Sequence, residues 1–180
     1  MEALKNIYLR TEPDPVLREK SAPVAAVGER ERALFLKMSE IMRAHDGLGL
    51  AAPQVGVPAR MIAIDAGAIE EREHAGTGAE GKFLFFANPM VVDASAEDCI
   101  YEEGCLSVPT IYADVERPEW VEVEYFDFHG ERRRLRADGL LARCLLHEMD
   151  HLDGKLFIDY LSAFRRNMIM SKLAKLKALK

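Results

Sequence analysis

Two histidines and a glutamate at residues 147–151 have the spacing of a metal site on a helix. His147 and His151 are four residues apart, so both imidazoles project from one helix face and can reach the same ion. Glu148 lies beside them and can contact an activated water without binding the ion. The leucine-rich residues 140–146 indicate that this helix is substantially buried. The segment therefore favours a catalytic metal over two surface histidines.

A catalytic metal of this kind needs a third protein ligand, and two cysteines compete for that position. A metal held between His147 and His151 would lie about 7 Å along the helix axis from Cys144, beyond the reach of a cysteine side chain. Cys144 is therefore expected in the core or in a pocket wall. Cys105 lies beside a glycine on irregular backbone, so the fold can bring it over the helix. Cys99 is expected to be a small buried residue.

A glycine- and alanine-rich segment at residues 47–56 is the third candidate part of the site. Small residues at this density let a ligand or another backbone approach closely. No Lys-Ser or Lys-Thr pair follows the glycines, so the segment is not a phosphate-binding P-loop. It is expected to form a wall of the substrate cleft, with the Gln54 amide as a donor to an oxyanion.

The elements that must position these residues predict an α+β fold with mostly antiparallel strands. Leu34, Met38, Ile41 and His45 form one apolar stripe, which predicts a helix over residues 29–45. The other expected elements are a helical turn after Pro15, a loop at 47–56, strands at 60–65 and 83–92, an exposed mobile loop at 66–81, a hairpin of 121–127 with 131–136, a central helix at 140–152, and a basic C-terminal helix at 162–180. Neither a repeat nor a linker divides the chain, so residues 1–180 are expected to form one domain, and a monomer is favoured.

Composition narrows the class of protein. Hydrophobic residues make up 49% of the chain and charged residues 30%, the balance of a globular protein rather than a disordered one. No stretch of 18 apolar residues predicts a membrane span. The first residues lack the pattern of a signal peptide, and three cysteines cannot form a disulfide framework. A cytoplasmic location is therefore expected.

Three segments, in their order along the chain, resemble the signatures of the peptide deformylase family. They are the glycine-rich residues 47–54, the Glu-Gly-Cys-Leu-Ser sequence at 103–107 and the His-Glu-Met-Asp-His sequence at 147–151. Any one of them is moderately specific, whereas the three in this order are highly specific. The resemblance covers nearly the whole chain up to about Tyr160, through further matches at residues 13–18, 88–89, 115–118 and 139–143.

The resemblance implies an enzyme that removes the N-formyl group from the initiator methionine of nascent polypeptides and releases formate. It also implies one divalent metal ion, Fe²⁺ as a rule in the family, with Zn²⁺, Ni²⁺ or Co²⁺ possible in a purified sample. Composition does not distinguish iron from zinc, since both accept these ligands. The implied site residues are the ligands Cys105, His147 and His151, the general base and then acid Glu148, and two oxyanion donors, the Gln54 amide and the Leu106 backbone N–H.

The same resemblance implies a substrate cleft lined by residues from three segments. Leu48 and Gly49 are expected to pair with the substrate backbone like a strand edge. Tyr101, Leu141 and Cys144 are expected to line the methionine pocket, and each of the three equally suits the core.

Two further residues are expected to support the metal ligands from behind. Glu103 is expected to pair with Arg117 and so to hold the Cys105 segment in place. Asp150 is either a similar support or a charge on the helix surface.

Three departures from the family pattern bear on the substrate rather than on the catalytic groups. Leu146 stands where Gln is frequent, Thr110 stands where Gly is common, and residues 66–81 form a long acidic segment that could change access to the cleft. Two other classes of function stay open at this point. One is a zinc peptidase, for which a cysteine ligand is unusual; the other is a binding protein without catalysis, which an intact Glu148 and Gln54 disfavour.

Charge is divided unevenly along the chain, whose formal net charge is −6. The last 18 residues contain six Lys or Arg and neither Asp nor Glu, so the first 162 residues carry about −12. An apolar face accompanies these charges, formed by Leu161, Phe164, Met168, Leu173 and Leu176. Two interpretations are open: a packed terminal helix with solvated lysines, or a helix that binds the ribosome, as the basic extension of some deformylases is thought to do.

Overall fold

The computed structural model describes residues 7–73 and 82–178. Within these residues the helices are α1 (Glu29–Ala44), α2 (Ala66–Glu73), α3 (Gly139–Leu152) and α4 (Ala163–Ala178). The strands are β1 (Gly49–Ala51), β2 (Met61–Asp65), β3 (Phe83–Ala94), β4 (Asp98–Cys105), β5 (Val108–Pro118), β6 (Trp120–Phe126) and β7 (Arg132–Asp138). Short 3₁₀ helices span Pro15–Arg18, Ala52–Val55 and Phe157–Tyr160.

Five strands form one antiparallel sheet in the order β1-β2-β3-β6-β7, and β4 pairs with β5 in a separate hairpin. The predicted α+β class with antiparallel strands is confirmed, and so is the β6–β7 hairpin. Strand β1 lies at one edge of the sheet, so one of its sides has no neighbouring strand within the described part of the chain.

Helix α1 packs on the β1–β2 end of the sheet. Leu34, Met38 and Ile41 are buried as the apolar stripe predicted. The helix ends at Ala44, one residue earlier than expected, and His45 is exposed. The reason is that the chain reverses here, with Asp46 in the left-handed region at φ 54°.

Helix α3 lies against the inner face of the sheet and carries the His-Glu-x-x-His segment. Leu145 and Leu152 are fully buried, in a core cluster shared with sheet residues such as Ile62 and Phe86. Because this side of α3 is committed to the core, its histidine side faces the β4–β5 hairpin, whose residues contact both imidazoles.

The expected mobile loop at residues 66–81 is wrong for its first half, because Ala66–Glu73 is helix α2. Asp65 begins this helix by accepting a hydrogen bond from the Ala68 N–H at 3.1 Å, and Ile69 is buried against the core. The glutamates of this helix lie beside the buried Ile69, and a count of polar residues does not reveal that burial. Residues 74–81 lie outside the described part of the chain.

The β4–β5 hairpin was not predicted, although its sequence contains the signal. In β5 the buried positions alternate, at Ile111, Ala113, Val115 and Arg117. An arginine at an inward position broke the apolar pattern, and the structure shows that this arginine is buried because it is paired. Residues 47–56, expected as a loop, contain β1 and a 3₁₀ turn.

Helix α4 packs through one side only. Leu173 is buried, with Ile169 and Met170 half-buried in the same cluster. Phe164 and Met168, which the sequence placed on the apolar face, are 74% and 59% exposed. Among the described helices, none combines the length and apolarity needed to cross a membrane.

Candidate active site

Three side chains from two elements meet beside the sheet. The Cys105 Sγ lies 3.3 Å from the His151 Nε2, and one ligand atom from each of Cys105, His147 and His151 falls within 4.8 Å of the others. The two imidazole rings are 5.1 Å apart between centroids, as their spacing on one helix face requires. A thiolate and two imidazoles are a donor set that zinc and iron both accept, so the residues present fit a divalent metal.

Glu103 sets the orientation of the His147 ring. The His147 Nδ1–H donates to the Glu103 Oε2 at 2.8 Å, which leaves the His147 Nε2 as the nitrogen free to bind a metal. Arg117 holds the same carboxylate with two hydrogen bonds, of 2.6 and 2.9 Å. Burial alone would raise the pKa of Glu103, but its hydrogen bonds from His147 and Arg117 outweigh that effect and lower it to about 2. The carboxylate is therefore an anion wherever the protein is folded near neutral pH.

Arg117 also connects Glu103 to the C-terminal end of α3. The Arg117 Nη1 donates to the Asp150 Oδ2 at 2.8 Å, and the Tyr160 hydroxyl donates to the same oxygen at 2.9 Å. The structure thus brings together Glu103 and Arg117, which were expected to pair, and Asp150, for which a supporting role and a surface charge were both open. Tyr160 joins them without having been anticipated, and nothing in its local sequence distinguished it.

Arg143 is a second buried arginine behind the site that sequence reasoning missed. It donates to the Val115 and Cys99 carbonyls at 3.2 and 2.9 Å and lies 3.4 Å from the Glu103 Oε1. It lies one helical turn before His147, a spacing that could have indicated a role on the same face. Arg143 therefore ties α3 to the hairpin that carries Cys105.

Gln54 is fixed by hydrogen bonds at both ends of its amide. Its Oε1 accepts from the Ala51 N–H at 2.8 Å, and its Nε2 donates to the Ser107 hydroxyl at 3.1 Å. The Nε2 also lies 3.6 Å from the Cys105 Sγ. The amide thus presents N–H groups, not the carbonyl, toward the Cys105 thiol, in a site where Gln54 is only 1% exposed.

Glu148 is buried beside a close backbone approach. A Cβ on Gly49 would lie 2.6 Å from the Cys144 Sγ and 2.7 Å from the Glu148 Oε1, so β1 can approach α3 only with glycine at this position. The Glu148 Oε2 is buried without a hydrogen-bond partner among the described residues. Burial raises the pKa of Glu148 to about 7, so this carboxyl group can exchange a proton near neutral pH.

A cleft of about 750 Å³ opens onto these groups. Of the residues expected around a substrate, Leu48, Gly49, Gln54, Leu106 and Cys144 line it. Tyr101 and Leu141 do not: Tyr101 is half exposed with its ring over the Arg143 guanidinium, and Leu141 packs against the core. Leu140 lines the cleft instead of its neighbour. Burial also raises the pKa of the Cys144 thiol well above its usual value, with Glu148 adding to the effect, so this cysteine is a neutral part of the wall.

Comparison with known proteins identifies the family of this chain. The family model described as polypeptide deformylase matches residues 7–167. The chain belongs to the polypeptide deformylase family. Peptide deformylases from Pelagibacter ubique and Rhizorhabdus wittichii are 47% and 50% identical, over 93% and 91% of this chain and 93% and 90% of theirs. The crystal structure of peptide deformylase from Ehrlichia chaffeensis superposes with a TM-score of 0.85 at 38% identity, covering 96% of this chain and 97% of that one.

Polypeptide deformylases are metal-dependent hydrolases, and the Cys105, His147 and His151 group is one that can hold the metal. As a member of the family, the chain removes the N-formyl group from the N-terminal methionine of nascent polypeptides and releases formate.

The Arg117 pair predicts the effect of a mutation on metal binding. Arg117→Met removes two of the hydrogen bonds that the buried Glu103 carboxylate accepts, so this carboxylate no longer holds the His147 ring in its orientation. We expect the affinity of the metal-free protein for Zn²⁺, measured by competition with a chromophoric chelator, to fall about 10–100-fold. Arg117→Lys keeps the charge but not the bidentate geometry, so its Zn²⁺ affinity should lie between those of Arg117→Met and the native protein.

The matched control is Arg133→Met, which breaks an arginine–carboxylate pair with Asp127 on the exposed β6–β7 hairpin. This variant should keep native Zn²⁺ affinity. Equal affinities in folded Arg117→Met and Arg133→Met would contradict the role of Arg117.

Proposed function

We propose that Cys105, His147 and His151 hold the metal of this deformylase and that Glu148 transfers the protons of the reaction. The observation that carries the proposal is that one ligand atom from each of these three residues lies within 4.8 Å of the others. Beside them is the buried Glu148 carboxylate, whose Oε2 makes no hydrogen bond to a described residue. Glu148 follows His147 on α3, so its carboxylate reaches the space beside the ligands without replacing one of them.

The chain's own groups account for each proton and charge of the hydrolysis. A bound divalent cation supplies Lewis acidity that polarises the formyl carbonyl and makes water a better nucleophile. Glu148 removes a proton from the attacking water while the oxygen–carbon bond forms. Glu148 then gives that proton to the amine nitrogen as the carbon–nitrogen bond breaks. The other proton of the attacking water passes from the new carboxylic acid to the released amine or to solvent, so formate and the methionine amine leave.

Two N–H donors are proposed to stabilise the oxyanion that forms in between. Gln54 is suited to this role because its Oε1 is engaged by Ala51, which turns its Nε2 toward Cys105. Leu106 is suited because its backbone follows the ligand Cys105 directly along the cleft wall. Donors held in place before the reaction stabilise the transition state more than the substrate.

The proposed substrate contacts follow the cleft. Leu48 and Gly49 adjoin the free edge of β1, where the backbone of a bound peptide can pair as an added strand. Cys144 contributes to the wall of the methionine pocket. Tyr101 and Leu141 were expected there too, and their positions away from the cleft give this part of the proposal less support.

Iron is proposed as the native metal from the family resemblance. One thiolate and two imidazoles bind Fe²⁺ and Zn²⁺ alike, so the ligands are compatible with iron and do not select it. The metal content of protein purified without oxygen distinguishes the two. Zn²⁺, Ni²⁺ or Co²⁺ in a purified sample would be compatible with the same ligands.

The role of Glu148 is tested by formate release from formyl-Met-Ala-Ser. Removing the proton carrier in Glu148→Ala should lower kcat by about 10²–10⁴ while the metal content of the same anaerobic sample stays native, with iron as the main metal. Glu97→Ala, at an exposed position away from the cleft, is the matched control and should stay fully active. Formate release at the native rate by Glu148→Ala would contradict the proposed base. Cleavage of casein without formate release would favour a peptidase.

A second part of the proposal is that α4 binds the ribosome in the cytoplasm, where nascent chains emerge. Arg165, Lys172 and Lys175 are exposed on this helix, next to exposed Phe164 and Met168. A surface with several cations and two apolar side chains suits contact with ribosomal RNA and protein together. The acidic remainder of the chain confines such a contact to the tail.

The ribosome proposal is tested by replacing charges, because deleting the tail would also remove the buried Leu173. Replacing Arg165, Arg166, Lys172 and Lys175 with glutamine should abolish co-sedimentation with ribosomes at low salt, and native binding should weaken steeply as salt rises. The matched control removes four arginines from β7, namely Arg132, Arg133, Arg134 and Arg136. Salt-insensitive binding, or equal binding by both variants, would contradict the proposal.

A further inference from the structure

Thr110 adopts a backbone conformation that its side chain disfavours. Its φ is 65°, in the left-handed region where a β-branched residue is a genuine outlier. Glycine would adopt this conformation without strain because it has no Cβ. A threonine at this position therefore destabilises the folded chain relative to glycine.

The strained residue lies in an irregular part of β5 next to the metal ligand Cys105. Tyr112 pairs with Gly104, and Val108 pairs with Cys105, so residues 109–111 have no partner on β4 and bulge out of the hairpin. Bulges next to active sites re-aim side chains. Here the bulged residues all line the cleft.

The structure offers no internal compensation for this strain. Of the described residues other than glycine, Asn88 and Asp46 also have a positive φ. The Asn88 side chain donates to the Val24 carbonyl and accepts from the Val24 N–H. Asp46 lies two residues beyond the end of helix α1, and aspartate tolerates this conformation. The Thr110 side chain is exposed and makes no hydrogen bond to another described residue.

Thr110 lines the cleft, so a peptide bound there would offer a partner for its hydroxyl. An extended peptide paired with the free edge of β1 directs alternate N–H and C=O groups away from β1. Those groups lose water in the cleft and need other partners. A threonine hydroxyl both donates and accepts, so it can satisfy either kind.

We propose that Thr110 binds the backbone of the residues that follow formyl-methionine, and so makes the enzyme prefer longer peptides. This inference rests on the proposed site, with the peptide extended along Leu48 and Gly49. Its effect is on substrate length rather than sequence, because the groups that Thr110 meets belong to the backbone.

The test compares a short and a long substrate, formyl-methionine amide and formyl-Met-Ala-Ser, in native protein and three variants. For Thr110→Gly we expect the KM of the tripeptide to rise about three- to tenfold, the size of one neutral hydrogen bond, with kcat unchanged. The kinetics of the amide should not change. Thr110→Val should behave like Thr110→Gly toward the tripeptide, and Thr110→Ser should keep native kinetics.

Thermal unfolding separates strain from binding in the same proteins. Thr110→Gly should raise the Tm by about 2–4 °C because the strain is relieved. Gly130→Thr is the matched control: it places the same residue at φ 78° in the β6–β7 turn, away from the cleft, where its Cβ would meet only Val27 at ordinary van der Waals distances of 3.6–3.7 Å. It should lower the Tm by a similar amount and leave both substrates unaffected.

The KM and Tm values of Thr110→Gly decide whether Thr110 has the proposed role. If Thr110→Gly hydrolyses both substrates with native KM values, or if both KM values rise equally, Thr110 does not read peptide length and the inference is wrong. An unchanged Tm in Thr110→Gly would remove the strain argument and also overturn it. If the native protein releases formate from neither substrate, the proposed function itself fails. That outcome is distinct from the two above, in which the native protein is active and only the KM values of the variants decide.

Discussion

The site depends on one buried carboxylate, that of Glu103. It accepts hydrogen bonds from Arg117 and His147 at 2.6–2.9 Å, where its side chain is only 3% exposed. A carboxylate in such a place stays charged only if it is fully paired. Because Arg117 keeps it anionic, it holds the Nδ1–H of His147 and thereby directs the other ring nitrogen toward Cys105.

That interaction also joins the two parts of the fold that carry the proposed metal ligands. Glu103 and Cys105 lie two residues apart on the β4–β5 hairpin, whereas His147 lies on α3 against the main sheet. Arg117 bridges them by bonding Glu103 on one side and Asp150 of α3 on the other. Removing the charges of Glu103 and Arg117 from water costs free energy, and well-packed hydrophobic residues in place of a buried ion pair are often equally stabilising. The pair is therefore better explained by the placement of the ligands than by stability.

Helical periodicity was enough to predict α3 and the common face of His147 and His151, because residues four apart on a helix are necessarily neighbours. The partners that arrive from elsewhere in the chain are different. The contacts of Arg143 and of Tyr160 depend on how the hairpin docks on α3, which no local pattern encodes. Helix α2 was missed because one buried isoleucine outweighs its polar neighbours. The pairing of Glu103 with Arg117 was predicted from the resemblance to peptide deformylases. The 14 residues that separate them match no local pattern that would predict a contact.

Cys105, His147 and His151 are proposed to hold one divalent metal together, and X-ray absorption of the zinc-loaded protein identifies the atoms that bind it. Sulfur and nitrogen are distinguished by their distance from the metal and by how strongly they scatter. We expect one sulfur at about 2.3 Å and two imidazole nitrogens at about 2.0–2.1 Å, with the sulfur lost in Cys105→Ser and kept in Cys144→Ser. A shell without sulfur, or a sulfur that disappears in Cys144→Ser instead, would rule out this set of ligands.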